Sequence, residues 1–154
     1  MKQLIGSIIL ITVLMSFQTV PKTQSPSKPA AAAHTAVAPA SGLKASMDRG
    51  LLVYTQQCLA CHQINGGGVP SLNAPLAVAK AVVGKDKAKL ITIVLKGMKG
   101  VDIDDETYNN TMAPHPELTD QQIADVLTYV RNSWTNKASA VTPAEVKAVR
   151  AKIK

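Results

Sequence analysis

Cysteine, histidine and aromatic residues are all scarce in this 154-residue chain. It has two cysteines, three histidines, one Phe and one Trp, and aromatic residues make up 3% of the sequence. With only two cysteines the chain has no four-sulfur metal site. So few aromatic rings predict a thin core, because these side chains bury large apolar areas.

Net charge is missing from the central part of the chain. The formal charge is +7, but residues 44–136 hold nine Lys/Arg and nine Asp/Glu, which cancel. The basic excess lies before and after this part, which argues against a nucleic-acid-binding face on it. The glycine run at 66–68 belongs to neither of the common phosphate-binding motifs and predicts a loop.

Residues 1–20 have the pattern of an export signal. Lys2 provides a positive start, and an apolar stretch of signal-peptide length follows. The apolar run extends over about 17 residues at most, the lower limit for crossing a bilayer. A cleaved signal peptide is therefore the first interpretation and an uncleaved N-terminal anchor the second, and both predict a periplasmic or other extracytoplasmic location. Residues 21–45 are rich in Pro, Ala and Ser and predict a disordered linker, with His34 as a solvated residue in it.

Both cysteines belong to the sequence Cys58-Leu59-Ala60-Cys61-His62. This spacing is the attachment signature of c-type haem. Each thiol adds to one porphyrin vinyl group, and the adjacent His62 imidazole is placed to bind the iron. One covalently bound haem would also supply apolar surface that the aromatic-poor core lacks.

Other interpretations of the paired cysteines are a redox dithiol, half of a zinc site and a structural disulfide. A zinc site needs two further ligands, and the only other histidines are His34 and His115. A thioredoxin-like dithiol would lie in an α/β context, but no strand–helix–strand pattern surrounds this motif. The adjacent histidine and the export signal favour haem attachment.

Apolar periodicity predicts a helical domain over residues 46–136. The first helix begins near Ser46, which can cap it, and contains Gly50 and Tyr54 on one face. Further helices are predicted at 76–83, 86–97 and 119–133, with a turn or short hairpin at 101–107. The last of these helices begins with a capping box at Thr119-Asp120-Gln121-Gln122. Gly50 weakens a helix interior, so it indicates close approach by another helix, for which 119–133 carries the apolar stripe.

Residues 137–154 form a basic tail with a second capping box at Thr142-Pro143-Ala144-Glu145. The box predicts a short helix with Val146, Val149 and Ile153 on one side. Packing on the domain and electrostatic contact with a partner both remain open for this tail. A lysine group leaves a similar choice between a solvated face and a docking patch for acidic partners. Its members are Lys85, Lys87, Lys89, Lys96 and Lys99.

From Ser46 to Trp134 the chain resembles class I c-type cytochromes. The resemblance rests on Gly50 and Tyr54, the haem motif, the loop Gly68-Val69-Pro70-Ser71-Leu72, and Met112 before a terminal helix. It implies an all-α cytochrome c fold of three to five short helices around one covalent haem. The first and last helices of the domain would cross.

The same resemblance implies roles for individual residues. Pro70 would present its carbonyl to the ring N–H of His62, Leu72 would pack on the porphyrin, and Met112 would be the sixth iron ligand. His115 is the rival ligand because it lies three residues further on and can also bind iron. The residues around Met112 resemble small cytochrome domains that serve periplasmic dehydrogenases, nitrite reductases and terminal oxidases, although Ala113 separates Met112 from the following proline.

The implied function is one-electron transfer between redox proteins rather than catalysis. The chain would act as a monomer or as the cytochrome subunit of a redox complex. One alternative is a peroxidase-like haem enzyme or gas sensor with a labile sixth ligand. Another is a haem-free CxxC thiol oxidoreductase.

Overall fold

A computed structural model describes residues 42–153. The predicted export signal, His34 and most of the predicted linker lie outside these residues, as does Lys154. Within them the elements are α1 (Leu43–Gln57), α2 (Leu59–His62), α3 (Lys80–Val83), α4 (Lys87–Lys96), β1 (Asp102–Ile103), β2 (Glu106–Thr107), α5 (Asp120–Asn132) and α6 (Pro143–Arg150). The strands pair antiparallel, with Asp102 opposite Thr107.

The predicted all-α class is confirmed, and the small hairpin agrees with the turn predicted at 101–107. Helices α1–α5 lie in the domain, in agreement with the three to five expected there, and α6 is the helix predicted in the tail. The chain departs from regular helix at Cys58 and resumes in the four-residue α2. The predicted helix at 76–83 is shorter and begins only at Lys80. Over residues 42–153 no helix is both long and apolar enough to span a membrane.

Helices α1 and α5 cross at Gly50, as predicted. A Cβ atom on Gly50 would lie 2.1 Å from the carbonyl oxygen of Asp125 and 2.7 Å from Cβ of Tyr129. Only glycine therefore permits this close approach. The predicted cap at Ser46 is wrong, because α1 begins three residues earlier and Ser46 Oγ instead donates to Asp125 Oδ1 at 2.5 Å.

The core is aliphatic and lies between α1, α4, α5 and α6. Its most buried apolar side chains come from these four helices and are Tyr54, Ile91, Ile123 and Val146. Tyr54, Tyr129 and Trp134 form a small aromatic cluster with ring centroids 5.3–6.0 Å apart. The indole Nε1 of Trp134 donates to the Ile64 carbonyl at 3.0 Å, which ties the end of α5 to the loop after the haem motif.

The basic tail packs on the domain. Val146 of α6 is fully buried, and Glu145 accepts a hydrogen bond from Lys87 Nζ of α4 at 2.9 Å. Both capping boxes predicted from sequence are present, at Thr119 for α5 and at Thr142 for α6. The sequence left open whether the tail packs on the domain or makes electrostatic contact with a partner. The structure shows that residues 142–153 pack on the domain.

Arg131 of α5 is a buried cation held by main-chain oxygens. It is 1% exposed and donates to the carbonyls of Val82, Gly84 and Ser139. Burial lowers its pKa, and the nearby Glu145 carboxylate opposes that change. The side chain thus joins the end of α3 to the segment that leads into α6.

Candidate functional site

The two thiols and the imidazole of the haem motif lie on one short helical turn. Helix α1 ends at Gln57, and the amide N–H groups of Cys61 and His62 donate to the Cys58 carbonyl at 3.2 and 2.9 Å. Cys58 is half-buried whereas Cys61 is exposed. Local helix geometry alone therefore brings these three side chains to one place.

The ring of His62 is oriented by Ala74. His62 Nδ1 lies 2.9 Å from the Ala74 carbonyl oxygen. Burial lowers the pKa of His62, and this hydrogen bond opposes the change. A donor Nδ1–H facing a carbonyl leaves Nε2 as the nitrogen with a free lone pair, which is how imidazole ligands are commonly oriented.

The prediction that Pro70 supplies this carbonyl is wrong. Val69 and Asn73 form an antiparallel bridge with N–O distances of 2.9 and 2.8 Å, so Pro70 lies in an exposed turn. The chain reaches the ring only after this turn, at Ala74. Gly68 makes the arrangement possible, because it has φ +64° and a Cβ atom there would lie 2.2 Å from the Asn73 carbonyl oxygen.

A cleft of about 200 Å³ opens beside the haem motif. A second, smaller cavity adjoins it and is lined mainly by aliphatic side chains. The two spaces share four side chains: Cys58, His62, Met112 and His115. The aliphatic lining of the smaller cavity includes Leu76, Val82, Leu90, Ile93, Val94, Leu118, Val126, Leu127 and Val130.

Leu72 and Leu76 occupy different parts of this site. Leu72 lines the cleft but is 42% exposed, so it lies at the rim. Leu76, which sequence reasoning missed as a site residue, lines the deeper cavity and packs against the core. Asn136 Nδ2 donates to the Leu76 carbonyl at 2.9 Å. The break at Asn73-Ala74-Pro75 was the available signal, because it marks a second interruption of the chain directly before Leu76.

Met112 is held by a backbone pair with Met98. The Met112 N–H donates to the Met98 carbonyl at 2.9 Å, and the Met98 N–H donates back at 3.1 Å. Gly97, between α4 and this pair, has φ +70°, and a Cβ atom there would lie 2.3 Å from the Met112 carbonyl oxygen. Met98 itself also lines the cleft, together with Met112.

His115 also reaches the site. Its side chain is 17% exposed, and Nδ1 lies 3.2 Å from Glu117 Oε1. The His115 N–H donates to the Val94 carbonyl at 2.8 Å, which fixes this part of the chain against α4. The structure thus brings both candidate sixth ligands, Met112 and His115, to the same two spaces as His62.

A sequence model of the cytochrome c family matches residues 47–134, which contain the crossing point of α1 and α5 and the whole cleft. The chain belongs to the cytochrome c family. The resemblance seen in the sequence is therefore confirmed. The cofactor and the function that the family implies are confirmed as well. The cofactor is a covalently bound haem c, and the protein is an electron carrier rather than an enzyme.

Named relatives agree with this assignment. Cytochrome c-552 of Thermus thermophilus is 33% identical over 120 residues, which are 72% of this chain and 80% of the relative. The cytochrome c subunit of a quinone-type alcohol dehydrogenase of Gluconacetobacter polyoxogenes is 36% identical over 116 residues, or 72% of this chain and 24% of that subunit. The gluconate 2-dehydrogenase cytochrome c subunit of Pantoea cypripedii is 36% identical over 104 residues, or 66% and 24% of the two chains. This cytochrome therefore spans about a quarter of the dehydrogenase subunits it matches.

The donor set of the cleft fits haem c. Two thiols and one imidazole lie on a single turn, and aliphatic walls suit a porphyrin face. Bound haem supplies an iron that alternates between Fe(II) and Fe(III). The side chains of this turn would hold and orient the group, and the aliphatic wall would exclude water from it.

The structure disfavours two other interpretations of the cysteine pair, the redox dithiol and the zinc site. Redox dithiols rely on a lowered thiol pKa, whereas burial, together with the neighbouring Cys61, raises the pKa of Cys58 to about 11. For zinc, three or more convergent His, Cys, Asp or Glu side chains would be expected, and residues 42–153 hold no such group.

Proposed function

We propose that this cytochrome carries single electrons between redox enzymes outside the cytoplasm, with His62 and Met112 as axial ligands of its haem. Two of the named relatives are cytochrome subunits of dehydrogenases, which supports a dehydrogenase as the electron donor. Residues 1–20 would act as a signal peptide or an anchor, and residues 21–45 as the linker to the domain.

The observation that carries the ligand proposal is the joint placement of His62 and Met112. Both side chains line the cleft and the adjoining apolar cavity, so they border the same space. Met112 packs against the core, and its backbone is fixed by two hydrogen bonds to Met98. A neutral thioether suits this apolar position, and His/Met ligation raises the potential of cytochrome c iron.

Other residues of the chain hold and enclose the group. Cys58 and Cys61 would attach it, and the Ala74 carbonyl would keep the His62 ring in one orientation. Leu72 at the rim and Leu76 in the interior would contact its faces and exclude water. A low-polarity surrounding of this kind favours the less charged, reduced iron.

The lysine group is only partly available to redox partners. Lys87 binds Glu145 and the Ala140 carbonyl, so it belongs to the fold. Lys99 lines the cleft and is exposed, so it is the lysine of the group best placed to meet an acidic partner near the haem. This charge would influence the rate of encounter more than the affinity.

Optical spectra of the exported holoprotein test the ligand proposal. A thioether ligand gives oxidised cytochromes a weak far-red sulfur-to-iron band, and we expect it in the wild type. Met112→Ala should remove the band and lower the reduction potential. His115→Ala and Met98→Ala are the controls and should keep both the band and the potential.

Each alternative ligand predicts a different pattern. If His115 is the ligand, the wild type lacks the band, and His115→Ala loses the low-spin state. If Met98 is the ligand, Met98→Ala loses the band and Met112→Ala keeps it. Either pattern contradicts the assignment of Met112.

Fractionation of cells that express the full chain tests the location. A cleaved signal peptide predicts a mature N-terminus near residue 20 and a chain released with the periplasmic fraction. An anchor predicts the intact N-terminus in the membrane fraction. Holoprotein confined to the cytoplasm would contradict both forms of the proposal.

A further inference from the structure

Helix α6 lies beyond residues 47–134, which the cytochrome c family model matches. It is nevertheless part of the core, because Val146 is fully buried and Val141, just before the helix, is 4% exposed. Thr128 of α5 donates to the Val141 carbonyl at 3.2 Å and accepts from its N–H at 3.0 Å. The position of α6 is therefore fixed relative to α5.

Residues 113–119 connect Met112 to α5 without forming a helix or strand. Backbone groups in such a segment need partners outside it. The His115 N–H donates to the Val94 carbonyl of α4 at 2.8 Å. Two backbone carbonyls of the segment, those of Pro116 and Leu118, accept hydrogen bonds from a side chain of α6.

That side chain is Arg150, in the last turn of α6. Its Nη1 donates to the Pro116 carbonyl at 3.0 Å and its Nη2 to the Leu118 carbonyl at 2.6 Å. Its Nε donates to Asp120 Oδ1 at 2.8 Å, at the start of α5. A planar guanidinium can bind three acceptors in fixed directions, which a lysine ammonium on a flexible stem does less well.

These bonds are partly shielded from water. The Arg150 and Asp120 side chains are 33% and 30% exposed, so the pair is less screened than a fully exposed one. Charge-assisted hydrogen bonds are stronger than neutral ones. Any outward movement of residues 116–118 would have to break the bonds from Arg150, because α6 itself is anchored in the core.

We propose that Arg150 is a positioning residue for the sixth iron ligand. By holding residues 116–120 against α6, it keeps the loop closed and lengthens the time that Met112 stays at the iron. The inference rests on the proposed ligation by Met112. Through Arg150, the C-terminal helix α6 would control ligand exchange at the haem.

The test measures how fast added imidazole binds to the oxidised holoprotein. At saturating imidazole the rate is limited by departure of the methionine, so it reports opening of the loop. We expect Arg150→Met to raise this limiting rate about tenfold, equivalent to about 1.4 kcal/mol and close to the lower end for a charge-assisted hydrogen bond.

Lys147→Met is the matched control. Lys147 is an exposed residue of the same helix, and its replacement removes the same charge. Its limiting rate should equal that of the wild type. Arg150→Lys keeps the charge but not the three-way geometry, so it should give an intermediate rate. It also provides the comparison if Arg150→Met does not fold.

The far-red band and denaturant unfolding accompany each rate. The inference requires that Arg150→Met retains the band at equilibrium. It also requires that Arg150→Met speeds exchange under conditions where denaturant unfolding shows the protein to be folded. Equal limiting rates in Arg150→Met, Arg150→Lys and Lys147→Met would overturn it. A wild type without the band would refute ligation by Met112 itself, so the two failures are distinguishable.

Discussion

Nε of Arg49 on α1 lies 2.7 Å from Oδ2 of Asp125 on α5, and Nη2 of the same arginine lies 2.9 Å from Oδ1. Asp125 is 2% exposed and also accepts from Ser46 Oγ. This ion pair is next to Gly50, where the backbones of the two helices meet. A buried carboxylate thus fastens the helix crossing that organises the fold.

Acid should weaken this crossing. Burial by itself raises the pKa of Asp125, but hydrogen bonds from Arg49, Ser46 and Gln121 outweigh it, so the pKa is lowered in the folded protein. A lowered folded pKa contributes stability that is present above the unfolded value of about 3.9 and is lost as the pH falls towards the folded value. We expect the wild type to lose its advantage over Asp125→Asn in free energy of unfolding as the pH falls from about 5 to 3. Denaturant titrations of both holoproteins measure this, and a gap that stays constant over that range would contradict the prediction.

Gly97→Ala should disturb the backbone pair of Met112. The new Cβ would lie 2.3 Å from the Met112 carbonyl oxygen, so the ligand loop has to move. We expect a weakened or lost sulfur-to-iron band and a lowered reduction potential. Gly100→Ala is the matched control, because Gly100 also has positive φ (+61°) but a Cβ there meets nothing within 4 Å. Equal spectra and potentials in the two variants would contradict a role for the contact between residue 97 and the Met112 carbonyl.

Haem should remain attached to the polypeptide after denaturation and acid–acetone extraction. Cys58→Ser and Cys61→Ser should each leave one thioether bond or block maturation, because each thiol supplies one attachment. His62→Ala should prevent a stable low-spin site. Absorbance of the extracted polypeptide measures the first outcome, and release of all the haem from the wild type would contradict covalent attachment.

Arg131→Met should destabilise the domain by about 1–3 kcal/mol, because buried carbonyl acceptors would lose their donor. These acceptors belong to Val82, Gly84 and Ser139, so the end of α3 and the segment before α6 should both loosen. Lys137→Met is the control, because Lys137 is exposed and carries the same charge. Denaturant unfolding of the holoproteins compares them, and equal midpoints would show that Arg131 contributes no more than a surface cation.

The predictions from sequence were most accurate where structure depends on neighbouring residues. The spacing of Cys58, Cys61 and His62 places their side chains on one helical turn whatever surrounds it. The capping boxes at Thr119 and Thr142 likewise act within a few residues, and both helices begin there. Gly50 also predicted one long-range contact. A glycine that weakens a helix interior indicates that another helix approaches closely at that position.

The tertiary structure decided the features that depend on residues far apart in the chain. Ser46 has the chemistry of a cap, but its hydroxyl binds Asp125, 79 residues away, and α1 extends past it. Pro70 and Ala74 both follow turn-forming residues, and only the tight pairing of Val69 with Asn73 determines which carbonyl reaches His62. The partnership of Met98 with Met112 and the contacts of Arg150 with the ligand loop were likewise absent from any local pattern. A helix cap or a haem motif is specified by the geometry of neighbouring residues. The positions of the Ala74 carbonyl, the Met112 sulfur and the Arg150 guanidinium depend instead on the packed core, because only the core brings distant segments of the chain together.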